Sequence, residues 1–298
     1  MTIALLGADG QLGSDIRLAA EYAGVSVVPL THRDADITDA EGVARALEAV
    51  RPAVVINSAA FTNVEGAEDE PAIAFQVNAV GAVNVARAAA ALGARCVYIS
   101  TDYVFDGSKP APADGRPDSE TAYLETDRPV PLNVYGTSKL AGEHATIQAG
   151  DTNLVVRVSS LFGIAGARGK GGNFIESILK KARNGGVLTV ADDQWMTPTY
   201  TPDAASAILE LVKNGISGIV HVTNPRACTW HALASAAVRA AGLKVEVEAV
   251  PSSTWPTLVR RPANSALATA RLTDLLGRSL RPWDDALRAY LKAKGHLS

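Results

Sequence analysis

Short apolar runs alternate with amphipathic stretches through the first half of the chain. Thr2-Ile3-Ala4-Leu5-Leu6 has no polar alternation, the pattern of a strand covered on both faces in a parallel sheet. Val25–Leu30, Pro52–Asn57, Arg95–Ser100 and Asn153–Val158 repeat that pattern. Helical stretches lie between them: Ile16, Leu18, Ala19, Ala20 and Ala23, closed by Gly24; then Val43, Leu47 and Val50; then an Ala-rich segment from Pro71 to Leu92. Repeated strand–helix alternation predicts an α/β fold with a doubly wound parallel sheet. The second half is less regular. It predicts a helix around Phe174, Ile178 and Leu179, a strand over Val187–Val190, and helices over Pro202–Lys213, Trp230–Ala241 and Trp283–Lys292. The expected division is residues 1–157 as a sheet domain and 158–298 as mainly a smaller second domain, with segments returning to the first.

Composition narrows the function classes. The 298 residues are 47% hydrophobic, enough for a large core. A net charge of −3 argues against a nucleic-acid partner, which calls for a basic surface. No apolar run reaches membrane-spanning length, so no membrane partner is expected. Met1–Gly7 carries no basic leader and enters a strand pattern directly, so no signal peptide is expected. Cys96 and Cys228 are isolated, which suits buried thiols in a reducing cytoplasm. No ligand spacing points to a metal.

Polar residues and glycines gather where the strands end. Gly7-Ala8-Asp9-Gly10-Gln11-Leu12-Gly13 follows the first strand and opens a helix. Glycines at such a turn let backbone amides approach a pyrophosphate, whose charge the helix N-terminus favours. A tight turn without a ligand is the alternative. The second strand ends in Thr31-His32-Arg33 without an acid to bind ribose hydroxyls. Arg33 suits a 2′-phosphate, so NADPH is expected over NADH, with NADH still open. Arg33 also reads as a solvated loop charge. Asp36 and Ile37 are placed to flank an adenine, and Asp39 or Thr38 to cap the next helix. After the third strand, the small residues Ala59 and Ala60 leave room for a ribose. Asn78, in an apolar helical segment, is expected to be structural. The fourth strand runs into Ser100-Thr101-Asp102-Tyr103, at the edge where open sheets bind ligands. Ser100 and Thr101 are placed to bond a substrate carbonyl. The long loop from Ser108 to Val130 ends near Glu125, which suits either substrate or solvent.

The stretch Val130–Glu143 contains Tyr135 and Lys139, four residues apart and on one face of a helix expected to begin near Leu132 or Asn133. An ammonium beside a phenol favours tyrosinate and lowers the tyrosine pKa. Such a phenol can protonate a carbonyl oxygen as hydride arrives at carbon. The same spacing also suits an ordinary exposed pair. Farther on, Gly163–Gly172 is Gly-rich and basic, a lid or a simple connection. Arg260 and Arg261 stand beside Asn264 and Ser265, a grouping that suits a nucleotide pyrophosphate or a solvated charge pair.

Taken together, these residues resemble the extended short-chain dehydrogenase/reductases, and most of all the dTDP-4-dehydrorhamnose reductase family. The resemblance rests on Gly7–Gly13, Ser100–Phe105, Pro131–Glu143, Gly172-Asn173-Phe174, Asp193–Thr199 and Arg261–Ser265, and spans nearly the whole chain. It implies a Rossmann-like domain with a smaller C-terminal substrate domain. It implies NADPH-dependent reduction of a dTDP-linked 4-keto-6-deoxyhexose, and a homodimer as the assembly. Tyr135 would be the general acid, Lys139 would bind the nicotinamide ribose, and Thr101 would bond the carbonyl oxygen. Ser100, Asp102, Tyr103, Asn173, Trp195, Arg261 and Asn264 would face the substrate. Ser160 stands where the family often has a tryptophan, with Trp195 as a substitute aromatic wall. Tyr103 replaces the glutamate that dehydratases of this fold carry, which disfavours water elimination. The alternatives are another nucleotide-sugar ketoreductase or epimerase, and a non-catalytic dinucleotide-binding subunit resembling the regulatory subunit of methionine adenosyltransferase.

Overall fold

The computed structural model describes residues 1–166 and 172–297. The chain begins with β1 (Thr2–Leu6), α1 (Gln11–Tyr22), β2 (Ser26–Leu30), α2 (Ala40–Val50) and β3 (Val54–Asn57). Next come α3 (Val64–Asp69), α4 (Pro71–Phe75), a π-helical turn (Gln76–Val80) and α5 (Gly81–Ala91). β4 (Arg95–Thr101), a 3₁₀ turn (Asp102–Val104), α6 (Val134–Gln148) and β5 (Leu154–Val158) complete the first half. The second half contains β6 (Leu161–Phe162), α7 (Phe174–Arg183), β7 (Leu188–Ala191), β8 (Trp195–Met196) and β9 (Thr199–Tyr200). It continues with α8 (Thr201–Lys213), β10 (Gly218–His221), β11 (Cys228–Thr229) and α9 (Trp230–Ala240). It ends with β12 (Val247–Val250), α10 (Ala270–Leu276) and α11 (Trp283–Ala293).

The doubly wound parallel sheet expected from the sequence is present, with six strands in the order β2-β1-β3-β4-β5-β10. Both faces are covered, which is why its strands read as unbroken apolar runs. Ile3 and Leu5 of β1 enter the core shared with α1 and α8, while Ala4 and Leu6 enter the opposite core with α2 and α5. Each fully buried Ile, Leu or Val there contributes about 1.5–3 kcal/mol. Pro29, which lacks an amide, lies in edge strand β2, where its missing donor is tolerated. The sixth strand, β10, is not visible in the hydrophobic pattern. Gly218-Ile219-Val220-His221 is only four residues long and pairs with β5 alone.

Two details of the elements depart from the sequence pattern. The Ala-rich segment from Pro71 to Leu92 is not one α-helix, because a π-turn interrupts it at Asn78. The Asn78 side chain accepts from the Phe61 amide and donates to the Phe61 carbonyl and the Ser138 hydroxyl. It thus ties the loop after β3 to α6. Helix α6 starts later than expected, at Val134. Asn133 is its N-cap, accepting from the Gly136 amide at 2.8 Å, and Pro131 lies ahead of the cap.

The second core lies between α7, α9 and α11. Phe162 and Tyr200 stack at 5.4 Å, and Tyr290 meets both edge-on. Chain order and sheet order part company at one place. From β1 the chain goes outward to β2 and then returns to the other side of β1 as β3. Ligands of open α/β sheets bind outside the strand ends at such a switch point.

Candidate active site

A cleft of about 800 Å³ opens at that switch point. Its floor is the glycine turn. Gly7 has φ +69°, and a Cβ there would lie 2.7 Å from the Ala59 amide nitrogen. A Cβ on Gly13 would strike the Gly7 carbonyl oxygen, so the start of α1 can sit tight against the end of β1 only without side chains. Gly10 is the N-cap of α1 and offers no capping side chain, and the first turn holds no acid. The amides therefore face the cleft with the helix dipole behind them. The Gln11 Oε1 is buried without a protein partner among the described residues. The cradle that a Cβ would fill fits a dinucleotide pyrophosphate, whereas the Gln11 oxygen, an acceptor, calls for a donor such as a ribose hydroxyl or water.

The residues proposed for the adenosine end divide between two cavities. Asp36, Ile37, Ala59 and Ala60 line the main cleft, as do Gly7, Gly10, Gln11, Leu12 and Gly13. The Asp36 carboxylate accepts from the Thr38 amide and hydroxyl at 2.9 and 2.8 Å, bonds that hold its pKa below the usual carboxylate range. Asp39 caps α2 by accepting from the Glu41 amide. Arg33 does not line the main cleft. It lies exposed on an adjoining cavity of about 450 Å³, next to Arg45 and Asp39, and the two cavities share His32, Ala35 and Asp36.

At the end of β4, four consecutive side chains line the cleft and take different roles. The Ser100 hydroxyl donates to Glu143 Oε1 at 2.5 Å, so its proton is already committed within the protein. Thr101 Oγ1 accepts from the Tyr103 amide, donates to Asp102 at 3.1 Å and lies in hydrogen-bond reach of the Tyr135 hydroxyl. Asp102 is buried and also accepts from Ser159 and Ser265 at 2.8 and 2.6 Å. Burial outweighs those bonds and pushes its carboxyl up to about 6. The Tyr103 ring meets the Tyr135 ring edge-on at 6.1 Å.

Tyr135 and Lys139 lie on one face of α6 and both reach the cleft. Gly136 brings α6 close, since a Cβ there would strike the Tyr103 carbonyl oxygen. Lys139 Nζ donates to the Ile99 carbonyl at 2.6 Å and sits 4.0 Å from the centroid of the Tyr98 ring. The expected lowering of the phenol pKa is not what this environment produces. Burial is the larger effect for both groups: it pushes Tyr135 up to about 12 and Lys139 down to about 7. A through-space ammonium matters less than the loss of water around both groups.

The remaining expected residues separate. Arg261 lines the cleft, pairs with Glu65 of α3 and lies beside the Tyr103 hydroxyl. Asn173 lines it as well, as the N-cap of α7. Its amide donates to the Gly163 carbonyl and the Tyr290 hydroxyl. Trp195 and Asn264 are absent from the lining. Trp195 is half-buried and held by backbone bonds to Ala263 and Ser265. The buried Asn264 amide donates to the Pro110 and Thr121 carbonyls at 2.8 and 2.7 Å, which pins the 108–130 loop. Glu125 accepts from the His221 amide and anchors β10, and it too is absent from the lining. Arg168 and Lys170, the cations of the expected lid, lie outside the described residues.

Several lining residues had no sequence signal as ligands. Phe174, Trp230 and Leu233 form an apolar end, with Phe174 and Trp230 rings 4.7 Å apart. Ser160, which the family resemblance had singled out, lines the cleft too, with φ +42°, a left-handed conformation unusual for a residue with a Cβ. Held strain of this kind gathers at ligand sites.

Known proteins share this architecture. The model of the RmlD substrate binding domain family matches residues 1–295. A dTDP-4-dehydrorhamnose reductase of Mycobacterium tuberculosis (strain H37Rv) is 37% identical, over 98% of this chain and 92% of that protein. The spore coat polysaccharide biosynthesis protein SpsK of Bacillus subtilis is 34% identical, over 98% and 97%. Among solved structures, a dTDP-4-dehydrorhamnose reductase of Bacillus anthracis in complex with NADP superposes with TM-score 0.89 at 31% identity, covering 98% of this chain and 99% of that one. A Thermus thermophilus UDP-glucose 4-epimerase in complex with NAD, 22% identical with TM-score 0.82 over 98% of each chain, shares the fold.

Proposed function

The chain belongs to the RmlD substrate binding domain family, and from that premise we propose that it is an oxidoreductase that reduces the 4-keto group of dTDP-4-dehydrorhamnose with NADPH. The observation that carries this reading is the single cleft that joins the glycine turn to Thr101, Tyr135 and Lys139. Likeness to an NADP-bound reductase over nearly its full length supports NADPH as the donor.

Gly7, Gly10 and Gly13 would hold the pyrophosphate of a reduced nicotinamide dinucleotide, which would supply the hydride for the ketone carbon. The rest is work for side chains. Tyr135 stays protonated across the neutral range because burial holds its pKa near 12, as a proton donor requires. As negative charge develops on the ketone oxygen, Tyr135 gives it the phenol proton. Thr101 sits within reach of the same hydroxyl and orients it. A charged Lys139 stabilises the tyrosinate left behind. Arg261 offers a planar cation for the substrate diphosphate, with Glu65 as its present counter-ion. Asp102, Tyr103 and Asn173 complete the sugar side of the reading, and Arg33 faces a 2′-phosphate from the adjoining cavity.

The test is turnover of dTDP-4-dehydrorhamnose by the purified protein, followed through nicotinamide absorbance, with NADPH and NADH in parallel. The expected result is oxidation of NADPH that depends on the sugar nucleotide. Tight cofactor binding with no turnover of any keto sugar would overturn the reading.

A further inference from the structure

Beneath the cleft lies a group of buried charges that the reaction does not touch. Glu143 is on α6, one turn beyond Lys139 and two beyond Tyr135, so the three share one stripe of the helix. Arg157 of β5 grips its carboxylate with two bonds, Nε to Oε1 at 2.8 Å and Nη2 to Oε2 at 2.7 Å. Ser100 of β4 adds a third donor at 2.5 Å. Both ionic side chains are at most 3% exposed. Breaking a buried pair of this kind is costly, so the three bonds hold the carboxylate in place.

We infer that the Ser100–Glu143–Arg157 network is the positioning device of the catalytic helix, with Glu143 the fixed counter-charge one turn beyond Lys139. The inference rests on the reading of Tyr135 as acid and Lys139 as its partner. Lys139 makes one neutral contact to the Ile99 carbonyl and one to the face of Tyr98. Neither offsets the burial that drives its pKa down, whereas the Glu143 charge acts in the opposite direction. Arg157 is therefore two steps from the chemistry. It fixes the Glu143 carboxylate, the Glu143 charge opposes the burial of Lys139, and Lys139 supports the tyrosinate.

The surrounding ionisable groups fit this chain of effects. Tyr98 of β4 is pushed well above its ordinary pKa by burial and by the nearby phenol and carboxylate charges, so it stays neutral. His221 of β10 pairs in register with Arg157 and is driven well below its ordinary pKa by burial and that guanidinium, so it adds no competing cation. Asp102 acts on the Tyr135 side, where its charge raises the phenol pKa. The Arg157 guanidinium also lies 5.0 Å from the Phe105 ring centroid, and its Nη1 has no hydrogen-bond partner among the described residues.

The experiment is the pH dependence of kcat/KM for the wild type, Glu143→Gln, Glu143→Asp and the double variant Glu143→Gln/Arg157→Met. The double variant removes both buried charges together and carries the test if the single Gln variant does not fold. A carboxylate about one helical turn away shifts a buried ammonium by about one pH unit or more. Removing it lowers the Lys139 pKa, so the basic limb of the profile should move down by about that amount in Glu143→Gln, and in the same direction but by less in the double variant, which also loses the opposing Arg157 cation. Glu143→Asp keeps the charge and should return the limb close to its wild-type position. A limb unmoved in a Gln variant that still folds and binds cofactor would overturn the inference. Lys139→Met separates the two readings. If it keeps wild-type turnover, the assignment of Lys139 has failed. If it is inactive while the Glu143→Gln limb stays put, only the positioning role has failed.

Discussion

The two walls of the cleft are built by different means. The near wall is set by strand ends, where backbone dominates: the glycine turn after β1 and Ala59 after β3 reach the cleft because their strands end there, and the Ser100–Tyr103 run at the end of β4 adds side chains. The far wall is made by side chains. Asn173 caps α7 and bonds Tyr290, and the Tyr290 hydroxyl donates to Glu176, which His296 near the C-terminus also meets at 2.9 Å. Phe174 and Trp230 are then held against each other on top of that network. A wall of backbone has no room for added atoms but tolerates many neighbours. A wall of side chains can be reshaped by single substitutions, so differences in sugar recognition belong there.

The comparison can be broken or sharpened by substitution. The largest effect is expected from Tyr135→Phe, which removes only the near-wall proton donor. Turnover should fall by about 10²–10⁴-fold with cofactor affinity kept. Near-normal turnover would take the acid role away from Tyr135. Gly13→Ala comes next, because its Cβ meets the Gly7 carbonyl and cannot be accommodated without moving the turn. Overpacking of this kind costs about 1–3 kcal/mol, and thermal unfolding with cofactor titration should show both a lower midpoint and weaker binding. An unaffected Kd would mean that the turn does not hold the dinucleotide.

On the far wall, Asn173→Ala removes a cap and leaves the Tyr290 and Gly163 groups short of a partner. The expected loss is about 1–2 kcal/mol of stability, with KM for the sugar nucleotide raised and the cofactor Kd unchanged. Equal effects on both ligands would mean that the two walls are not separable. The smallest effect is expected from Arg33→Ala, since the side chain is exposed and outside the main cleft. NADPH should weaken roughly two- to fivefold, the scale of a solvent-screened charge contact, and NADH should be unchanged. Parallel loss for both cofactors would remove Arg33 from the 2′-phosphate.

The near wall was legible in the sequence, and the far wall largely was not. A glycine turn directly after an apolar run, and a Tyr and Lys four apart on a helix, are local patterns whose geometry follows from strand and helix periods. Ile37, expected to flank an adenine, lines the cleft and packs against Gly81 at the start of α5, a contact that its sequence neighbourhood does not announce. Phe174 and Trp230 sit 56 positions apart in the numbering, and nothing near either signals the other. Trp195 and Asn264 show the converse. The family resemblance for Trp195, and the neighbouring cations for Asn264, suggested a ligand, while tertiary hydrogen bonds use both to fasten loops.

The sequence by itself determined the alternation of strands and helices, the doubly wound sheet and the stripe Tyr135-Lys139-Glu143, because these depend on backbone periodicity and on which residues shun water. Only the tertiary structure decided which charges face which. The Ser100 hydroxyl turns to Glu143 rather than to the cleft, Arg157 finds Glu143 from a strand 14 positions on, and β10 returns from the second half of the chain to complete the sheet. It also decided the protonation of the pair at the centre. Burial is a property of the packed molecule, and it moves Tyr135 and Lys139 in opposite directions from their values in water.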